Sequence, residues 1–340
     1  MRATLVRAGA FAAAAVATLA MSPGLASADP PAGVTPAKAD IVGVGSDTTQ
    51  NIANAYSTLY NRTRTPKLYS FNATGTRTIR PAAGCAVITR PDGSGAGLSA
   101  LLADTTGCID FARSSRKPKA DGTEKSLAFL AFARDGVTVA VATTTNAGAN
   151  VTTAQLKAIF TCHATRWNQV GGKNSSTIKP ILPQVKSGTR AFFLTTIGIT
   201  DAQVGRCVVQ GSQENDQNVL AGDPNKIAPF SVARYSLIVN TRQVRKVSLL
   251  KVDGTRPTTV VVQDRRNVTT LNGTYSAKYT RPVFNAVKRV NRVVPARLNA
   301  VFGARGLICT NAEAKKIAVF QGFRPDCSGS LQTTGCPGTT

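Results

Sequence analysis

The stretch Gly43-Val44-Gly45-Ser46-Asp47-Thr48-Thr49-Gln50 decides how this chain is read. An apolar entry, Ile41-Val42, leads into it, and Asn51-Ile52-Ala53-Asn54-Ala55-Tyr56-Ser57-Thr58-Leu59-Tyr60 follows. The pattern is strand, tight turn, helix start. Glycines let the backbone come close to a ligand, and the first turn of a helix carries unpaired N–H groups. Such a place suits an anion. Taken alone, the stretch is better explained by an Asp or Ser N-cap with glycines for the turn; the recurrence of such loops shifts the balance.

Two further loops have the same make-up. Pro91-Asp92-Gly93-Ser94-Gly95-Ala96-Gly97 opens the apolar run Leu98–Leu102, and Lys186-Ser187-Gly188-Thr189-Arg190 follows a strand-like segment and opens Ala191–Gly198. Between them, Cys108-Ile109-Asp110-Phe111-Ala112-Arg113-Ser114-Ser115-Arg116 reads as a short strand with a hydroxyl-rich turn. Backbone N–H groups, Ser and Thr hydroxyls and an arginine can hold an oxyanion without further chemistry. Ser46, Asp47, Thr48, Ser94, Gly95, Ser115, Ser187, Gly188 and Thr189 are the candidates, with Arg113 or Arg190 for the charge. Open α/β sheets bind ligands at the carboxyl ends of their strands, where such loops sit.

Outward from these loops, strands and helices alternate, which makes the chain α/β. Ser126 to Thr143 is apolar and β-branched, split by Asp135-Gly136, and reads as strand, turn, strand. Hydroxyl residues at Thr152-Thr153 precede helical spacing to Phe160. Trp167 is expected to be a packing anchor. Lys226 to Ser231 reads as a strand, Asp253 to Thr280 as hairpin-like strands, and Pro295 to Phe302 and Ala312 to Phe320 as helices.

Residues 1–28 read as a signal peptide. Arg2 and Arg7 precede the apolar run Ala8–Met21, and Ala26-Ser27-Ala28 is a small-residue cleavage site. No cysteine follows closely enough for a lipid anchor, so a secreted, extracellular chain is expected, with 29–38 as a loose leader. The formal net charge is +24, and loss of Arg2 and Arg7 leaves +22. This charge favours anionic partners and says nothing of fold. Anionic wall polymers are one candidate partner. No specific nucleic-acid binding is expected, because no nucleic-acid motif accompanies the charge. An ordinary solvated basic surface also accounts for it. Export favours disulfides; the sequence leaves their connectivity open, and the simplest pairing, between neighbours, is Cys85–Cys108, Cys162–Cys207 and Cys309–Cys327, with Cys336 left over in a flexible tail, 326–340. The cysteines lack CxxC spacing and His163 is the only histidine, which argues against zinc and leaves no metal or cofactor implied.

Enzyme chemistry finds little support. A serine hydrolase needs a base beside its nucleophile, yet His163 stands between Cys162 and Ala164 and no GxSxG occurs. Carboxylates are sparse, and Glu214 and Asp216 are the only close pair in an informative place. Ser187-Gly188-Thr189-Arg190 is no Walker motif. The expected activity is binding, not catalysis.

From Ile41 to Phe323 the order and spacing of Gly-Val-Gly-Ser-Asp-Thr-Thr, Gly-Ser-Gly-Ala-Gly-Leu, Ile-Asp-Phe-Ala-Arg-Ser-Ser, the Leu156–Trp167 segment with its Arg-Trp-Asn, and Lys-Ser-Gly-Thr-Arg resemble the phosphate-binding substrate-binding proteins of ABC transporters. These belong to the type II periplasmic-binding-protein superfamily, and the likeness is to its actinobacterial-type branch. The resemblance implies a two-lobed α/β fold with a ligand cleft between the lobes. Crossing strands would fall near Phe132–Val139 and Ile227–Tyr235. Lobe 1 is then 39–131 plus 236–325, and lobe 2 is 132–235. It implies a monomer that captures phosphate or a related oxyanion for an ABC permease. Asp47 and Thr48, Ser94, and Ser187, Gly188 and Thr189 take the family's ligand positions. The sequence departs from the family twice. Ser115 stands where the family usually has the aspartate that accepts the proton of hydrogen phosphate, and Pro183 stands where it often has an arginine. Asp47 could replace the acceptor, and Arg113 or Arg190 the cation. The other reading is a basic secreted protein of this fold that binds wall polymers or other polyanions without transport.

Overall fold

The computed structural model describes residues 29–332. The expected signal peptide, the end of the tail and Cys336 lie outside them.

The elements that build the site are, in chain order, β1 (Ile41–Gly45), α1 (Gln50–Asn61), β2 (Leu68–Ser70), α2 (Ser94–Ala103), β3 (Phe111–Ser114), β4 (Leu127–Ala142), α3 (Thr153–Phe160), β5 (Lys179–Pro183), α4 (Gly188–Ile197), β6 (Val209–Ser212), β7 (Lys226–Ser231), α5 (Val232–Asn240) and β8 (Thr280–Lys288). The sheet runs β2-β1-β3-β8-β4-β7-β5-β6. β1 pairs parallel with β2 and β3, and β5 pairs parallel with β7 and β6. Between these two parallel sets run antiparallel pairings. The first part of β4, to Gly136, pairs with β8, and its remainder pairs with β7. One 16-residue strand therefore passes from one set to the other.

Parallel sheets are covered on both faces, and the core divides accordingly. Val42, Leu98, Phe129 and Phe284 pack together in one cluster, and Ile41, Tyr56, Phe111 and Phe302 in another. Val137, Phe160, Trp167 and Phe193 form a separate cluster, joined by Leu271, Tyr275 and Tyr279. Trp167 is buried as expected, and its Nε1 donates to Asn225 Oδ1 at 3.1 Å.

Local signals in the sequence carry through. Thr152 caps α3 in a capping box with Gln155. Ser187 caps α4, and Ser231 caps α5. Thr258–Gln263 and Arg266–Leu271 form the expected hairpin. The three expected disulfides are present.

The expected turn at Asp135-Gly136 is not there. β4 continues through both residues. A Cβ on Gly136 would lie 2.6 Å from Leu271 Cδ1 and 2.8 Å from Val232 Cγ2, so this glycine permits close packing. Asp135 is fully buried and paired with Arg281, directly opposite it on β8. The second expected crossing also ends early: β7 stops at Ser231 and α5 begins at Val232.

Candidate functional site

Three strand ends and their loops are packed backbone against backbone. Gly45 ends β1 at φ +114, where a Cβ would lie 2.7 Å from Arg113 O. A Cβ on Gly97 would lie 2.4 Å from Gly45 Cα. Gly93, at φ +92, faces Lys186 O in the same way, and Gly95 N donates to Lys186 O at 3.0 Å. Side chains at these places would hold the loops apart, which is the physical reason for the glycines.

The loops close on a corner of small groups. Ser46 Oγ donates to Ser115 Oγ at 3.1 Å, Ser115 N donates to Ser94 Oγ at 3.0 Å, and the Ser94 and Ser115 hydroxyls are 3.2 Å apart. Gly188, at the start of α4, faces them: a Cβ there would lie 2.3 Å from Ser115 Oγ and 2.4 Å from Ser94 Oγ. Residues 46, 94, 115 and 188, all singled out in the sequence, thus meet at one point.

Beside this corner lies a charged layer. Thr48 Oγ1 donates to Glu214 Oε1 at 2.7 Å, and Thr189 Oγ1 donates to the same oxygen at 2.5 Å. Arg281 Nη2 donates to Thr189 Oγ1 at 2.8 Å, to Thr48 Oγ1 at 3.3 Å and to Asp135 Oδ2 at 2.9 Å. Asp135 Oδ1 also accepts from Ser231 Oγ and Ala233 N. The three central strands β4, β7 and β8 are thereby tied together next to the threonines. Asn215 Nδ2 donates to Asp47 Oδ2 at 3.3 Å and to Thr48 Oγ1 at 3.2 Å, and its Oδ1 accepts from Ser231 N.

The Asp47 carboxylate is not the cap of α1, whose N-terminus has no side-chain cap. It accepts from Gln50 Nε2 at 2.9 Å and from Asn215. Burial pushes its pKa up to about 6; Glu214 and Asp92 add repulsion, while Arg234 and Asn215 oppose. Burial raises Asp135 as well, opposed most strongly by Arg281.

Neither arginine proposed from the sequence faces the threonines. Arg113 is buried, its pKa pulled down to about 9 by desolvation, and it donates to Ser46 O, Gly45 O and Ser70 Oγ. It holds the first loop from behind. Arg190 is spent on Asp201, Gln210 Oε1 and Pro183 O. Ser187 accepts from Arg190 N as a helix cap. The cation of the layer is Arg281, which the sequence reading passed over, together with Glu214, Asn215 and Asp135 as site residues. A signal existed: Asp135 is the one carboxylate in the apolar strand β4, where burial demands a partner.

Glu214 Oε1 draws the Thr48 and Thr189 hydroxyls and the Thr189 N–H at the start of α4. Its carboxylate thereby marks where an oxyanion would find hydroxyl donors, a helix N-terminal turn and one guanidinium. Glu214 Oε2, Arg281 Nη1 and Thr49 Oγ1 are buried and lack a hydrogen-bond partner among the described residues. Two carboxylates, Asp47 and Glu214, flank the cradle, which disfavours an ion that brings no proton.

Two parallel sets of strands joined by a long shared strand, with helix starts converging beside the join, define a two-lobed binding-protein fold. Residues 30–288 match the PBP superfamily domain, and the chain belongs to that superfamily. Among solved structures, it is similar to an ABC-type phosphate transport receptor from Vibrio cholerae, with 21% identity, 84% of this chain and 99% of that chain covered, and a TM-score of 0.57. It is also similar to a putative phosphate ABC transporter substrate-binding protein with bound phosphate from Clostridium perfringens, with 21% identity, 84% and 99% covered, and a TM-score of 0.60. At these identities the likeness speaks for the fold. No curated protein sequence matches the chain. Among the described residues, no helix is long and apolar enough to cross a membrane.

Proposed function

We propose that this chain is an exported, non-enzymatic solute-binding protein that captures phosphate between its lobes, residues 39–131 lying in one and residues 137–235, joined by 247–279, in the other, and hands it to an ABC-type permease. The observation that carries the reading is that Ser46, Ser94 and Ser115 meet at the start of α4, directly beside Thr48 and Thr189, which Arg281 touches. The similar receptors from Vibrio cholerae and Clostridium perfringens, whose names specify phosphate, support the choice of ion.

Arg281 takes the place of the family arginine replaced here by Pro183. Asp47 and Glu214 replace the proton acceptor lost at Ser115. A carboxylate beside hydrogen phosphate is tolerated when the ligand's own proton lies between them, whereas sulfate at neutral pH offers none. Titration calorimetry with phosphate and sulfate, after partial unfolding to strip carried-over ligand, tests the reading. Phosphate should bind and sulfate should not; absence of heat with phosphate would sink it.

A further inference from the structure

Directly outside the cradle lies a cavity of about 660 Å³. Its walls continue the site segments. Arg116, Lys117 and Lys119 follow Ser115, Phe192 follows Arg190 by two residues, and Arg281 belongs to both cavity and cradle. With Arg134 and Lys278 the lining holds six cations and no Asp or Glu. Arg116 pairs with Glu124, Arg134 with Asp326 and Arg281 with Asp135. Lys117, Lys119 and Lys278 are exposed and have no ion pair among the described residues.

The cradle residues are buried, whereas the cavity that Arg281 shares is of the size, about 300–1,000 Å³, that takes ligands of many more atoms than one tetrahedral oxyanion. Three exposed lysines in a lining without a carboxylate give the cavity a positive field that favours an anion. We propose that the cleft takes phosphate bearing further anionic groups, with one phosphoryl group in the cradle and the rest of a condensed phosphate chain on Lys117, Lys119 and Lys278. The inference rests on the phosphate reading of the cradle and extends it to the substrate class. The general positive field of the chain would speed the arrival of every anion alike; a built extension instead favours the longer ligand at equilibrium.

The test is calorimetry at fixed salt with phosphate, pyrophosphate and tripolyphosphate, on the wild type and on a variant with Lys117→Ala, Lys119→Ala and Lys278→Ala together. The three positions are exposed, so the variant should fold, and circular dichroism checks it. Tripolyphosphate should bind the wild type roughly ten-fold or more tighter than phosphate, in line with added charge pairs in a partly solvated site. The variant should lose that advantage while its phosphate affinity stays within about two-fold, because the cradle is untouched. Equal affinities in the wild type, or an advantage that survives in the variant, would overturn the extension and leave the phosphate reading standing. Lysine-dependent binding of tripolyphosphate without binding of phosphate would keep the extension and remove phosphate as the captured ion. No binding of any of the three would end both.

Discussion

The site has two regions built on opposite principles. The serine corner, Ser46, Ser94, Ser115 and Gly188, is neutral, made of the smallest side chains, and assembled from loops. The layer beside it, Thr48, Thr189, Glu214, Asp135 and Arg281, is charged and anchored on the central strands β4 and β8. Close approach is what the corner supplies: its donors can surround a small ion because nothing bulky intervenes. Charge balance is what the layer supplies: its members are held in place by one another. Shape selectivity should therefore reside in the corner, and selectivity for protonation state and much of the stability in the layer.

The hardest blow to the layer is Arg281→Ala. It leaves Asp135 buried without its counter-charge, and the expected loss is about 3–5 kcal/mol of unfolding free energy. Urea denaturation measures it; a loss under about 1 kcal/mol would show that the pair does not hold the strands together. In the corner, Gly188→Ala puts a methyl group 2.3 Å from Ser115 Oγ. Overpacking of about 1–3 kcal/mol should appear as roughly ten- to hundred-fold weaker phosphate binding. Unchanged affinity would mean that the walls do not meet as closely in the bound state.

Glu214→Gln separates the regions by charge alone. Sulfate should then bind at pH 7.5 about ten-fold tighter than to the wild type, for a gain of about 1.4 kcal/mol, with phosphate affected less. If sulfate gains nothing, Glu214 does not read the ligand's proton.

Asp47→Asn gives a smaller, pH-dependent effect. The folded pKa of Asp47 is raised to about 6 from 3.8. Its contribution to stability is thus fully present below the unfolded value and is lost as pH rises through the folded one. The variant should accordingly gain in Tm over the wild type at pH 8 and little at pH 4. An equal gain at both would detach the effect from this carboxyl group. The mildest change is Ser115→Ala, which removes one hydroxyl from a neutral network. It should weaken phosphate binding by about 1 kcal/mol in the same calorimetric titration.

Legibility in the sequence followed the same division. Ser46, Ser94, Ser115 and Gly188 stood out because they lie in glycine and hydroxyl loops, and the glycines really do sit where a Cβ would collide. The charged layer was half visible. Thr48 and Thr189 belong to those loops, but Arg281, Glu214 and Asp135 lie 233, 166 and 87 residues from Thr48 along the chain, and nothing local marks them as its neighbours. Arg113 and Arg190 look like ligand cations in the sequence for the converse reason. Their place beside the loops was correct, yet backbone carbonyls and Asp201 claim their donors. Asp135-Gly136 looked like a turn because that dipeptide commonly makes one; burial against Leu271 and Val232, with Arg281 opposite, overrode it.

The sequence by itself determined what depends on near neighbours: the strand-turn-helix loops, the caps at Thr152 and Ser187, and the hairpin, while the pairing of successive cysteines took the structure to fix. Turn and cap preferences act within a few residues, so they can be read from a short window. Only the tertiary structure decided which buried charges pair, because a buried carboxylate must find its cation wherever the sheet brings one. Asp135 found Arg281 across β4 and β8, and that pairing, invisible in either strand alone, set the guanidinium beside Thr48 and Thr189.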